Sequence, residues 1–107
     1  MNQWEIWSYD PGYGGHPCVI VSHPRRVANK PFVEVLLCSS QRASRAPTSA
    51  EVILDRADGL DWETLCKCDL IVGVDKQELR NRRGEVSPIR RRQIVERIID
   101  AHGWNVF

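Results

Sequence analysis

With 107 residues, 42% of them hydrophobic and 27% charged, the chain is sized for one soluble domain, 1–107, around one hydrophobic core. The net charge of +1 excludes a globally basic surface, although twelve of the fifteen cations are Arg and six of these lie between Arg80 and Arg92. The cysteines exclude a zinc framework: Cys66 and Cys68 are spaced C-x-C, and Cys18 and Cys38 stand far off in separate apolar runs.

Trp4 to Tyr9 alternates large apolar with polar residues and predicts a first half-buried strand. Asp10 to Pro17, DPGYGGHP, is a breaker cluster and predicts a loop or tight turn. Cys18 to Ser22 reads as an apolar strand, and His23 to Pro31 as a polar connection. Phe32 to Cys38 is the next strand, followed by a Ser-, Ala- and Arg-rich loop over 39–49. Glu51 to Leu54 is a short strand, and Arg56 to Asp61 a turn around Gly59.

Trp62 to Leu65 leads into LCKCDLIVGVDK, 65–76, which predicts a strand through Val74. Side chains two apart share one face, so Lys67 and Asp69 would stand side by side, roughly 7 Å apart at ~3.3 Å per residue. Cys66, Cys68 and Leu70 would point into the core. On the strand alone, Lys67 and Asp69 read as a surface ion pair worth little. Asp75 to Arg83 predicts one or two helical turns, with Asp75 as N-cap and Gly84 as stop. Ser87, Pro88 and Gly103 delimit the last helix. Its apolar stripe is Ile94, Val95, Ile98, Ile99 and His102, with Arg90, Arg91 and Arg92 on a solvated face. The expected architecture is mainly β: a small barrel or curled sheet of antiparallel strands with a C-terminal α-helix. No signal peptide or membrane-length apolar run is present, which points to the cytoplasm, reduced thiols and no membrane partner.

Four blocks, in order, resemble the MazF/PemK family of toxin endoribonucleases. WEIWSYD resembles that family's opening GEIW strand, and His16-Pro17 with Val19-Ile20-Val21-Ser22 resembles its RPVVVVS strand. Leu36 to Gln41, then Pro47 and Val52-Ile53-Leu54, resemble the block that carries its TSQ. Cys68-Asp69, Val74-Asp75-Lys76, Leu79, Gly84 and Ser87 resemble the block opening on CDQIRTVDK. The resemblance spans almost the whole chain. It implies a small SH3-like barrel, a homodimer, a cognate antitoxin as partner, and cleavage of single-stranded RNA with no metal and no cofactor.

Such cleavage uses the substrate's own 2′-hydroxyl as nucleophile. It needs a base for the hydroxyl proton, an acid for the departing 5′-oxygen, and donors or cations around the phosphorane. By resemblance, Asp69 is the base or orienting group, Lys67 stands where related chains carry an Arg, and Ser39 is the hydroxyl that meets the phosphate. His16 replaces the Arg of the RP pair and brings an imidazole, a side chain that can supply the acid or the base. The loop ahead of it is shorter than the family's. Arg25, Ser40, Gln41, Arg42 and Arg45 are the expected RNA contacts, and His23, His102, Cys66 and Cys68 are structural. Two other functions fit parts of the chain. One is a catalytically degenerate module of the same fold that binds RNA or an antitoxin peptide. The other is a CcdB-like poison of DNA gyrase, carried by Trp104 and Phe107 on the tail.

Overall fold

A computed structural model describes residues 1–107. Six strands pair antiparallel: β1 (Glu5–Tyr9), β2 (His16–Ile20), β3 (Phe32–Cys38), β4 (Glu51–Leu54), β5 (Thr64–Asp75) and β6 (Arg80–Glu85). Their order across the sheet is β4-β5-β3-β2-β1-β6, so β4 and β6 are its edges and the sheet curls as a half-barrel. Two helices complete the chain, α1 (Pro24–Asn29) and α2 (Pro88–His102).

Strand alternation feeds two cores, one on each side of the sheet. Val19, Leu36 and Cys38 point to the side where Ile94 and Ile98 of α2 pack, together with Ile6, Cys66 and Cys68. Cys18, Ile20, Val33 and Val35 point to the other side, where Val27 of α1 and Leu79 cover them. A fully buried aliphatic side chain contributes about 1.5–3 kcal/mol, so both layers are needed to hold so short a chain together.

Several sequence expectations need correction. Trp4 is not in β1, because its backbone is left-handed at φ 73° and bends the chain into the strand. The connection over 23–31 contains α1, which Pro24 opens and which the His23 ring caps by accepting from the Arg25 N–H at 3.0 Å. Asp75 does cap a helical turn, but only the single one at Lys76–Glu78. Leu79 then enters the second core, and Arg80 to Glu85 pair with β1 as a strand. That strand is polar because it is an edge, and Arg82 reaches across to Glu5 at 2.9 Å.

The largest departure is in β5. Between the pairs Leu36–Ile71 and Cys38–Cys66, β5 advances five residues while β3 advances two. The bulge reverses the alternation: Cys66, Cys68 and Ile71 all meet the α2-side core, and Val72 meets the other. Leu70 falls within the bulge, and it is 59% exposed rather than buried.

In α2 the buried stripe narrows to Ile94 and Ile98, and Val95 is exposed. Ser87 makes no side-chain cap; its backbone N–H donates instead to Asp58 Oδ1 at 2.9 Å. Arg90 is not solvated either. It donates to Asp58 Oδ2 at 2.6 Å and to both oxygens of Asp55 at 2.6 and 3.0 Å. Gly84 completes this junction, since a Cβ there would lie 2.0 Å from the Asp58 carbonyl oxygen.

Candidate functional site

Three chain segments meet where β2 begins, β3 ends and β5 bulges. The β2–β3 register pairs Cys18 with Leu37, and continuing it sets His16 opposite Ser39. The Ser39 N–H donates to Leu65 O at 3.0 Å, and its carbonyl accepts from Thr64 Oγ1 at 2.6 Å. Those bonds fasten Ser39 to β5 two residues before Lys67. His16, Ser39, Lys67 and the loop 40–45 then line one cleft of about 290 Å³. An adjoining recess of about 130 Å³ shares His16 and Lys67 and is closed by Tyr13 and by Leu70, the residue that the bulge expels.

His16 is held in a defined orientation. Its Nδ1 lies 3.0 Å from the Cys38 carbonyl oxygen. A carbonyl only accepts, so Nδ1 carries the proton of that bond, and in the neutral ring Nε2 keeps its lone pair. Tyr13 packs edge-on against the ring, with centroids 5.4 Å apart. Two free cations share the cleft with His16: Lys67 and Arg42 form no ion pair, and no carboxylate lines the 290 Å³ cleft. The expected partnership of Lys67 with Asp69 does not form. Asp69 is exposed on the same stretch of β5, but it lines neither the cleft nor the recess.

The expected RNA contacts divide similarly. Ser40, Gln41 and Arg42 are exposed along the cleft. Arg25 lies on α1, which follows the far end of β2, and so sits at the opposite end of the sheet from His16. Arg45 borders the cleft, but both its terminal nitrogens are spent on Glu51, at 2.6 and 2.9 Å. Arg45 and the Thr48 N–H hold the Glu51 carboxyl down at about 2, against burial that raises it. This pair therefore stabilises the loop fully above the ordinary carboxyl value of 4.5, and its contribution is lost as pH falls through about 2. With Arg45 half exposed to solvent, screening reduces that contribution. Thermal unfolding of the wild type should fall between those pH values, and Glu51→Gln should flatten part of the fall. The remaining slope is shared by Glu5, where burial raises the carboxyl but Arg82, the Asn2 N–H and the Trp7 indole outweigh it and hold it at about 2, and by Glu34, Asp55 and Asp10, which Arg26, Arg90 and the Gly12 N–H hold below the usual carboxyl range. An identical pH profile in Glu51→Gln would remove this role.

The thiols behave as expected of core residues. All four cysteines are free and buried. Burial pushes the Cys18 thiol up to about 12, and contact with Cys38 and Cys68 holds the Cys66 thiol up as well. The tail turns off the helix end: Trp104 stacks on His102 with centroids 5.0 Å apart and its backbone N–H donates to Ile99 O, yet the ring stays 57% exposed. Val106 and Phe107 remain exposed. Three contributors escaped sequence reasoning: the Cys38 carbonyl, Tyr13 and Trp62, which faces the outer end of the cleft region beside Arg42. A backbone atom leaves no sequence signal. The two aromatics do, since each stands alone in a turn rich in Gly or Asp.

The family described as "PemK-like, MazF-like toxin of type II toxin-antitoxin system" matches residues 2–102. No curated protein sequence matches the chain. Among solved structures, an endoribonuclease in complex with its cognate antitoxin, from a mycobacterial species, superposes with a TM-score of 0.84 at 25% identity, over 96% of this chain and 95% of that one. At lower identity the likeness is one of fold. The Mycobacterium tuberculosis toxin MazF-mt6 gives 0.80 at 16% identity, over 94% and 97% of the two chains. A MazE–MazF structure from Deinococcus radiodurans gives 0.76 at 15%, over 96% and 95%.

Proposed function

From the premise that the chain belongs to the PemK-like, MazF-like toxins of type II toxin–antitoxin systems, which the match over residues 2–102 shows, we propose that it is an endoribonuclease that cuts single-stranded RNA. The observation that carries this reading is the convergence of His16, Ser39 and Lys67, from three segments, on one cationic cleft. His16 Nε2 takes the 2′-hydroxyl proton, since its ring is already oriented through Nδ1 and Cys38. The 2′-oxygen attacks phosphorus, the P–O5′ bond breaks, and the departing 5′-oxygen takes a proton from the Lys67 ammonium across the cleft, so that the products are a 2′,3′-cyclic phosphate and a 5′-hydroxyl. Lys67 and Arg42 offset the charge that gathers on the non-bridging oxygens, and the Ser39 hydroxyl donates to one of them. The base role goes to His16 rather than Asp69, because Asp69 lies outside the cleft. Ser40 and Gln41 extend the RNA-contacting rim, and Arg25 and Arg45 are left out of it.

The same reading makes a cognate antitoxin and a second copy of the chain its protein partners, and the cytoplasm its place of action. No helix is long and apolar enough to cross a membrane. Purified protein incubated with a long single-stranded RNA and a chelator should yield discrete fragments ending in cyclic phosphate. Intact RNA across diverse sequences, at protein concentrations that saturate binding, would select the degenerate RNA-binding module instead.

A further inference from the structure

Beyond the reacting groups, the cleft continues outward. Arg42 borders three adjoining depressions: the 290 Å³ cleft, a shallow recess of about 510 Å³ with Ser40, Gln41 and Trp62, and a larger one of about 640 Å³ with Trp62 and Arg56. The two walls are joined, since the Ala43 N–H donates to Glu63 O at 2.8 Å. The depressions therefore form one groove that runs from His16 and Lys67 to Trp62. Trp62 is five residues from Lys67, which places it within about 16 Å along an extended chain.

The chemistry changes along that groove. Near His16 it is cationic, as a phosphate requires. At the outer end, beyond Arg42, Arg56 is outnumbered by Asp61 and Glu63, while Asp55 is already bound to Arg90. That end has no surplus positive charge with which to hold a phosphate. What it offers is the Trp62 ring, 41% exposed and belonging to neither core, with the Gln41 amide beside it. An exposed indole flanked by an arginine is a surface for an unpaired base, and an amide supplies both a donor and an acceptor for a base edge.

The geometry points to Trp62 as a base-stacking platform for a nucleotide flanking the scissile phosphate, with Gln41 positioned to read that base. The inference rests on the ribonuclease reading for its substrate class, and it adds a specificity-determining residue outside the reacting group. Because stacking is tolerant of base identity, Trp62 sets affinity and register, and Gln41 sets preference.

The test is binding of a 2′-O-methyl single-stranded RNA, which cannot supply the nucleophile, followed by intrinsic tryptophan fluorescence at fixed salt. Wild type should bind with quenching. Trp62→Phe should bind with similar affinity and lose most of the quenching, while Trp62→Ala should bind roughly 5- to 150-fold more weakly. An abasic nucleotide at one position should weaken wild-type binding and leave Trp62→Ala unaffected. Unchanged affinity in Trp62→Ala together with unchanged quenching in Trp62→Phe would overturn the platform. Cleavage of unmodified RNA is scored separately. Wild-type cleavage with an indifferent Trp62→Ala leaves the nuclease standing without the platform. Quenching through Trp62 with no cleavage leaves the platform without the nuclease, and no RNA binding by the wild type removes both.

Discussion

Replacing His16 by Ala is expected to lower kcat/KM for RNA cleavage by about 10²–10⁴-fold, the usual worth of a positioned acid–base group. The loss should fall on kcat, because Lys67, Arg42 and Ser39 still bind the phosphate. Stability should change by only about 1 kcal/mol, since the ring makes one hydrogen bond, to the Cys38 carbonyl. Single-turnover cleavage and thermal unfolding of the same preparations separate the two effects. Asp69→Ala is the companion measurement. Asp69 is exposed and outside the cleft, so its removal should leave the rate within a few-fold of wild type. A loss in Asp69→Ala equal to that in His16→Ala would return the base role to the carboxylate.

The second large effect is structural. Arg90→Met should destabilise the fold by about 3–5 kcal/mol, because it strands a carboxylate with no solvent access. The Asp58 side chain is 0% exposed, and its oxygens bind only Arg90 and the backbone N–H groups of Asp55 and Ser87. For a chain of this length such a loss lowers the unfolding midpoint by roughly 15–30 °C. Adding Asp58→Asn to Arg90→Met should recover part of the loss, since it removes the stranded charge and keeps an acceptor for the Ser87 N–H. Urea unfolding of the two variants measures the recovery. A decrease below about 1 kcal/mol in Arg90→Met would show that the pair adds nothing over its desolvation cost.

Much of the fold was legible because its strands advertise themselves locally. Phe32–Cys38 and Glu51–Leu54 were bounded correctly by apolar runs between polar loops, and Pro88 and Gly103 marked the last helix. What escaped depends on distant partners. The run from Arg80 to Glu85 has no apolar alternation and becomes a strand only because β1 offers it an edge and Glu5 offers Arg82 a counter-ion. Arg90 looks like a surface cation until Asp55 and Asp58 arrive from the other side of the chain. The site followed the same division. His16, Ser39 and Lys67 were named from their blocks and do line one cleft, whereas Arg45 was set aside by an ion pair that no local pattern announces. Asp69 is exposed on the same stretch of β5 as Lys67 but lies outside the cleft, a placement that their spacing does not announce.

That bulge also dictates how the chain tolerates changes of length. It places an odd number of extra residues between two well-paired segments of β5, so the two segments keep opposite phases. Deleting one residue between Lys67 and Leu70 would leave Cys66 and Ile71 four apart, an even spacing at which an unbroken strand faces both inward, so no reversal would be needed. Deleting two would restore an odd spacing, and with it the need for a bulge that reverses the alternation. Insertions follow the same parity: an odd change removes the reversal and an even one keeps it.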